Sequence, residues 1–325
     1  MRRLSGLVVL CVLGVSLSAT AASPIATDPC GQGRHALWVD RTHDWLSRGL
    51  CWPSRWVDGF FADPLTTNNE PAASLVRITG ERTWRDDDLD DRDLDVDARV
   101  WLPSAERRLS LLFRSKEDDA EAGGPRASDI ADTGEDDGGF RGALRWVINR
   151  TEAMDVDLDA GVRSDLTTFT RLRYRSVHPL FNEWAWLRFT ERVEWRDPKG
   201  WRSRSLFEID RALSDIASVR LASQIEYSEE LNEDGRGLGL FQGVNLFLRE
   251  SDKAAWNLGV GAAGFTKPEA RVDSYRCYVR YRRQVWRPWL FVEVEPFVLW
   301  PRDQGYQGVN GVTLRLETLF GRLDG

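Results

Sequence analysis

The chain is poor in several things that would make its function easy to read. After the first 22 residues there is no run of about 18 uncharged apolar residues, which excludes a membrane-crossing helix. Histidines number three in 325 residues, and His35 and His43 precede the strand-like part of the chain. Only His178 remains there as a candidate base, so acid–base catalysis is thinly supplied. Basic excess is missing too. The net charge is −7, and no nucleic-acid partner is expected, because a sequence-independent DNA binder needs a positive surplus. No segment has the spaced oxygen ligands and central glycine of a calcium loop, and nothing in the sequence calls for a metal or a cofactor.

What is present is alternation. Tyr275 to Phe320 reads as three long strands, from Tyr275, from Trp289 and from Val309. In the middle one, Leu290, Val292, Val294, Val298 and Trp300 share a face, with Pro296 in register. Phe291, Glu293, Glu295, Phe297 and Leu299 form the other. In the last, Val312, Leu314 and Leu316 alternate with Thr313, Arg315 and Glu317. A two-residue period over ten or more positions is long for a soluble domain, where strands average about five or six residues. It suits a strand of about 9–11 residues crossing a bilayer. The charged fraction of 29% is compatible with that reading, since only every second residue of such a strand meets lipid.

Residues 1–22 read as a secretory leader: Met1-Arg2-Arg3, an apolar centre from Leu7 to Val15 that contains Cys11, then Ala19-Thr20-Ala21-Ala22. Residues 23–73 are expected to form a short helical periplasmic segment. The spacing of Leu37, Trp38, Trp45, Leu46, Leu50, Trp56, Val57, Phe60 and Phe61 is nearer a helical than a two-residue period, and Pro53 divides it. Cys30 and Cys51 flank its first half, and an oxidising compartment favours a disulfide between them. A metal pair with His35 and His43 is the alternative, with suitable residue types in a poor arrangement.

Residues 74–325 are expected to form an all-β, transmembrane, antiparallel up-and-down barrel of about 14 strands, or 12 if two merge between Arg163 and Phe181. The expected strands are Val76–Trp84, Leu94–Leu102, Arg107–Arg114, Phe140–Ile148, Met154–Arg163, Thr168–Arg175, Trp184–Arg196, Trp201–Ala212, Val219–Ser228, Leu238–Leu248, Trp256–Phe265 and the final three. Connections should alternate between longer outer loops and short periplasmic turns. Asp86–Asp93, Ser115–Gly139, Glu229–Gly237 and Thr266–Asp273 are long, whereas Ser164–Thr167 and Asp197–Gly200 are short where a long loop is expected. Of the fifteen Trp, Trp84, Trp195, Trp256, Trp289 and Trp300 fall at or near strand ends, where interfacial girdles belong; a soluble sandwich has no such requirement.

This pattern resembles the outer-membrane β-barrel proteins of Gram-negative bacteria over residues 75–320. The last strand of those proteins ends in an aromatic residue read by the insertion machinery, and Val312, Leu314, Leu316 and Phe320 fit that pattern. The five residues Gly321 to Gly325 that follow are a departure from it. The stretch WVDGFFADP before the first strand is similar to the lead-in of proteobacterial barrel proteins. The resemblance implies residence in the bacterial outer membrane, with lipid, lipopolysaccharide and the barrel insertion machinery as partners.

The face opposite the apolar one is charged. Arg171, Arg173 and Arg175, then Arg188, Arg192 and Arg196, then Arg202 and Arg204 occupy three successive strands. Asp155, Asp157 and Asp159 precede them, and Glu293 and Glu295 face Arg276, Arg280, Arg282 and Arg315. These are lumen-lining candidates under two readings. One is a set of cross-strand ion pairs filling a polar interior. The other is an arginine ladder favouring small anionic solutes in a pore. The role expected is a passive channel or a structural barrel. A lipid-modifying enzyme and an adhesion or assembly protein acting through its outer loops are the alternatives. The enzyme would rest on His178, expected in a periplasmic turn beside Ser176 and Pro179. The acidic loops at Asp86–Asp93 and Glu117–Asp137 read as solvated surface, or as carboxylates gathering divalent cations near lipopolysaccharide. Cys277 is expected on the lipid-facing side as a small apolar residue.

Overall fold

The computed structural model describes residues 60–61, 75–87, 91–101, 109–115, 139–151, 153–181, 184–287 and 289–321. The two-residue period becomes fourteen strands: β1 Leu75–Arg85, β2 Asp91–Trp101, β3 Leu109–Arg114, β4 Arg141–Arg150, β5 Met154–Arg163, β6 Thr168–Leu180, β7 Ala185–Arg196, β8 Gly200–Ser214, β9 Ala217–Ser228, β10 Gly239–Ser251, β11 Ala254–Phe265, β12 Arg271–Gln284, β13 Leu290–Pro301 and β14 Val309–Gly321. Each strand pairs antiparallel with its neighbours in sequence, and β14 closes on β1 with Val76 opposite Phe320 and Trp84 opposite Val312. Closure leaves no edge strand, as a lipid environment requires; the shortest ladder is between β2 and β3, where Ala98–Trp101 pair with Ser110–Phe113. The count is fourteen, not twelve.

The barrel is inside out relative to a soluble protein. On β12, Ser274, Arg276, Tyr278, Arg280 and Arg282 are buried, while Tyr275 and Arg283 between and beyond them are exposed. On β14, Thr313 and Glu317 are buried, whereas Leu314 and Leu316 are 42% and 49% exposed. Apolar side chains therefore face outward and charged ones inward. Aromatic contacts mark both rims of the apolar belt. Trp289 stacks on Phe320 and Trp256 packs against Tyr281 at the end carrying both barrel termini, and Tyr275 meets Tyr306 at the opposite end. Trp195 and Trp201 face each other across β7 and β8 at that same opposite end.

Bulges fall near the rims, between Val147 and Asn149, Ala212 and Ser214, Arg249 and Ser251, and Ala263 and Gly264, where they end pairing without disturbing the wall. The loop after β9 starts with a short helix, α1 (Glu229–Glu233), capped by Ser228, whose hydroxyl accepts from the Leu231 amide at 3.0 Å.

Several strand bounds differ from expectation by one to five residues, and two of these differences move residues out of an expected loop or turn. The ladder of β2 begins at Asp91, inside the expected acidic loop, because Asp91 pairs with Thr83. The sixth strand runs on past Arg175 to Leu180, so His178 lies in a strand and not in a turn: it is paired with Leu187, and Pro179 with Trp186. Proline is tolerated there because it stands one residue from the strand end, where its missing N–H interrupts little of the ladder. Apart from Phe60 and Phe61, the expected leader and helical segment lie outside the described residues, as do Cys30 and Cys51 and residues 116–138 of the second acidic loop.

Candidate functional site

Antiparallel register sets the inward charges in rows, each running around the wall from strand to strand. One row reads Arg145, Asp159, Arg171, Glu194, Arg202 across β4 to β8. Signs alternate along it, and the side chains engage accordingly. Arg145 binds Asp159 at two points, 2.7 and 2.8 Å, and Arg171 and Arg196 both donate to Glu194. Across the barrel a second row reads Arg282, Glu293, Arg315, Glu81 over β12, β13, β14 and β1. Here Arg315 pairs with Glu293 at 2.9 Å and also with Glu81, and Arg282 donates to Glu317 at 2.6 Å. Arg276 and Arg280 both donate to Glu295, at 2.7 and 2.5 Å. Opposite charges directly across a ladder stabilise it, so these rows brace the wall.

One level from the first row, toward the terminus-side mouth, the pattern breaks. Arg173, Arg192 and Arg204 stand side by side on β6, β7 and β8, with Asp157 at one end of the run and Glu226 at the other. Arg173 binds Asp157, and Arg204 binds Glu226 at 3.1 Å. Arg192 lies between two other guanidiniums. Like charges directly opposite destabilise a ladder, so the fold carries this triplet at a cost.

Every inward candidate named from the sequence has a place in this wall. Arg171, Arg173, Arg175, Arg188, Arg192, Arg196, Arg204, Asp157, Asp159, Glu293 and Glu295 are buried, and Arg202 and Asp155 are half-buried. Arg188 lies 3.6 Å from Glu208 and 3.4 Å from Asp210, and Arg202 lies 2.5 Å from Glu226. Among the described buried residues sixteen are arginine and ten are aspartate or glutamate. Sequence reasoning missed Arg145, Glu194, Glu208, Asp210, Arg220 and Glu226, although the same alternation marks all six as inward. It also missed a choice of cation. The four lysines, Lys116, Lys199, Lys253 and Lys267, all lie outside β1–β14, so every strand cation is arginine. A planar, weakly hydrated guanidinium forms two-point carboxylate pairs and stacks on rings, which a lysine ammonium does not.

Stacking is used. Arg276 lies 4.2 Å from the Phe297 ring, Arg280 lies 4.8 Å from Tyr278, and both Arg141 and Arg171 lie over Phe169. Two of these rings lie flat on the wall because their cross-strand partner is glycine. A Cβ at Gly259 would sit 2.3 Å from Tyr278, and one at Gly311 would sit 2.3 Å from Phe297. Laid over Gly259, Tyr278 reaches β10 and donates to Asn245 at 2.6 Å.

On the outer face, His178 is exposed, and Cys277 lies opposite Val260 and Val298. A carboxylate also faces outward: Glu191 accepts hydrogen bonds from Ser203 at 2.7 Å and Ser205 at 2.5 Å on the adjacent strand.

A closed barrel with an apolar belt outside, aromatic rims and a charged interior is a transmembrane β-barrel. Several solved barrels are similar in shape at low sequence identity. The KdgM porin in complex with disordered oligogalacturonate has 9% identity and a TM-score of 0.37, over 74% of this chain and 98% of that one. A loop L8 deletion mutant of OmpT, an outer membrane protein of Vibrio cholerae, has 10% identity and a TM-score of 0.43, over 76% and 98%. OccK1 (OpdK) of Pseudomonas aeruginosa has 9% identity and a TM-score of 0.43, over 77% and 99%. No family model and no curated protein matches the chain.

Proposed function

We propose that the protein is an outer-membrane channel for small anionic solutes. The observation that carries this is the row Arg173, Arg192, Arg204: three adjacent guanidiniums kept at one level, where the rows through Arg145 and Arg282 alternate in sign. A second such run, Arg114, Arg141 and Arg163, crosses β3 to β5. A brace would place an acid at the middle position, as Glu194 is placed one level away. Runs of like charge on a pore wall set which ion enters. In this role the barrel is surrounded by lipid and lipopolysaccharide, and Phe320 offers the insertion machinery its aromatic strand end.

Reconstitution of the purified full chain into a planar bilayer tests the proposal. Stepwise current with a reversal potential favouring chloride over potassium is expected, and a folded barrel that passes no current overturns it. A second reading, a structural barrel with a filled interior, is favoured by the two alternating rows, and the same measurement separates the two.

A further inference from the structure

The interior is charged over most of its height, but on one side of the end where β1 begins and β14 ends it carries an apolar patch. The patch consists of Phe247 near the end of β10, Ala255 at the start of β11, Phe291 at the start of β13 and Leu319 near the end of β14, with the ion pair of Arg77 and Asp97 beside it on β1 and β2. These positions belong to the inner face, since Phe291 is two residues before Glu293 and Leu319 two after Glu317, both buried acids. Left to water, such an island would be an exposed apolar patch inside a polar tube.

It is occupied by this chain's own Phe60 and Phe61. Phe61 packs 5.4 Å from Phe247, and Phe60 meets Phe291 edge-on at 6.1 Å. Together with the fully buried Ala255 they form one cluster, leaving Phe60 only 9% and Phe61 only 6% exposed. Arg282 roofs it, 4.5 Å from the Phe291 ring and 5.9 Å from Phe60, while its other side is tied to Glu317. The thirteen residues from 62 to 74 can extend to about 45 Å, ample to bring Phe61 back across the mouth from Leu75.

We propose that this island is a socket for the segment carrying Phe60 and Phe61, and that the seated pair is an apolar stopper narrowing the terminus-side mouth. The narrowing rests on the channel reading; the socket does not. An apolar constriction impedes ions by dewetting, so a stopper needs no charge to act.

Two measurements on the full chain, folded in detergent and checked by heat-modifiable gel migration, test it. Chymotrypsin, which cuts after phenylalanine, should leave Phe60 and Phe61 intact in the parent protein. It should cut there about tenfold faster in a Phe247→Ala/Phe291→Ala variant, because cleavage follows the population of the released state. Equal cutting in the two folded proteins overturns the socket. In planar bilayers Phe60→Ala/Phe61→Ala should raise single-channel conductance by about twofold or more, as a relieved apolar constriction rewets. Unchanged conductance in a conducting barrel overturns the stopper. If no version conducts, the channel reading fails with the stopper, and proteolysis alone decides the socket.

Discussion

Arg145 and Asp159 face each other across β4 and β5 and close a two-point pair, with 1% and 3% of their side chains exposed. Asp159→Ala would take from the buried Arg145 guanidinium its two-point partner. Breaking such a pair costs roughly 3–5 kcal/mol, whereas replacing both partners by apolar residues of similar volume is close to neutral. Urea unfolding in detergent should show Asp159→Ala shifted far below the parent and Arg145→Met/Asp159→Leu near it.

Arg192 has a different expected signature. Arg192→Gln removes the middle guanidinium of the triplet, so anion preference in reversal-potential measurements should fall. Adding Arg188→Gln should abolish the preference. Selectivity unchanged in the double variant would remove the arginine strip from the function.

The outer belt can be tested at Val260, midway along β11 and 54% exposed. Val260→Arg would place a guanidinium against lipid, and that substitution costs about 2–4 kcal/mol at the bilayer midplane and much less near the rims. Trp84→Arg, at a rim, should therefore be tolerated far better in the same unfolding assay.

Gly259→Ala should act through Tyr278. The added methyl would collide with the ring, which must lift and release Asn245. Overpacking of this kind costs about 1–3 kcal/mol. Asn245→Ala should lose the hydrogen bond but leave the ring in place, and so cost less.

Asp165, exposed in the turn between β5 and β6, accepts hydrogen bonds from the hydroxyl and amide of Thr167, and these hold its carboxyl below the usual aspartate range. A depressed carboxyl contributes stability above its unfolded value and loses it as pH falls through the folded one. Carboxyl NMR titration should find Asp165 moving up toward the ordinary range in Thr167→Val.

Much of this architecture could be read from residue order. The strand Met154–Arg163 was expected with the bounds it has, because Val156, Leu158 and Ala160 alternate without interruption with three aspartates. His178 was misplaced because Pro179 looks like a turn signal, and only the pairing with Trp186 shows that the ladder continues past it. Which acid meets which arginine was not legible. The stagger between strands decides it, and alternation along one strand carries no information about its neighbour's stagger. Glu194 thus went unnoticed between the arginines it holds. Phe60 and Phe61 fitted an amphipathic helix, and nothing local to them reveals that Phe247 and Phe291, far along the chain, would receive them.

The exclusion of lysine from the strands has a consequence for the surroundings this barrel can work in. A guanidinium keeps its proton to about pH 12, so alkaline media cannot strip the lining of its cations. Acid can only neutralise the carboxylates set among them. The field inside should therefore grow more attractive to anions as the environment sours, and it has no route to reversing sign.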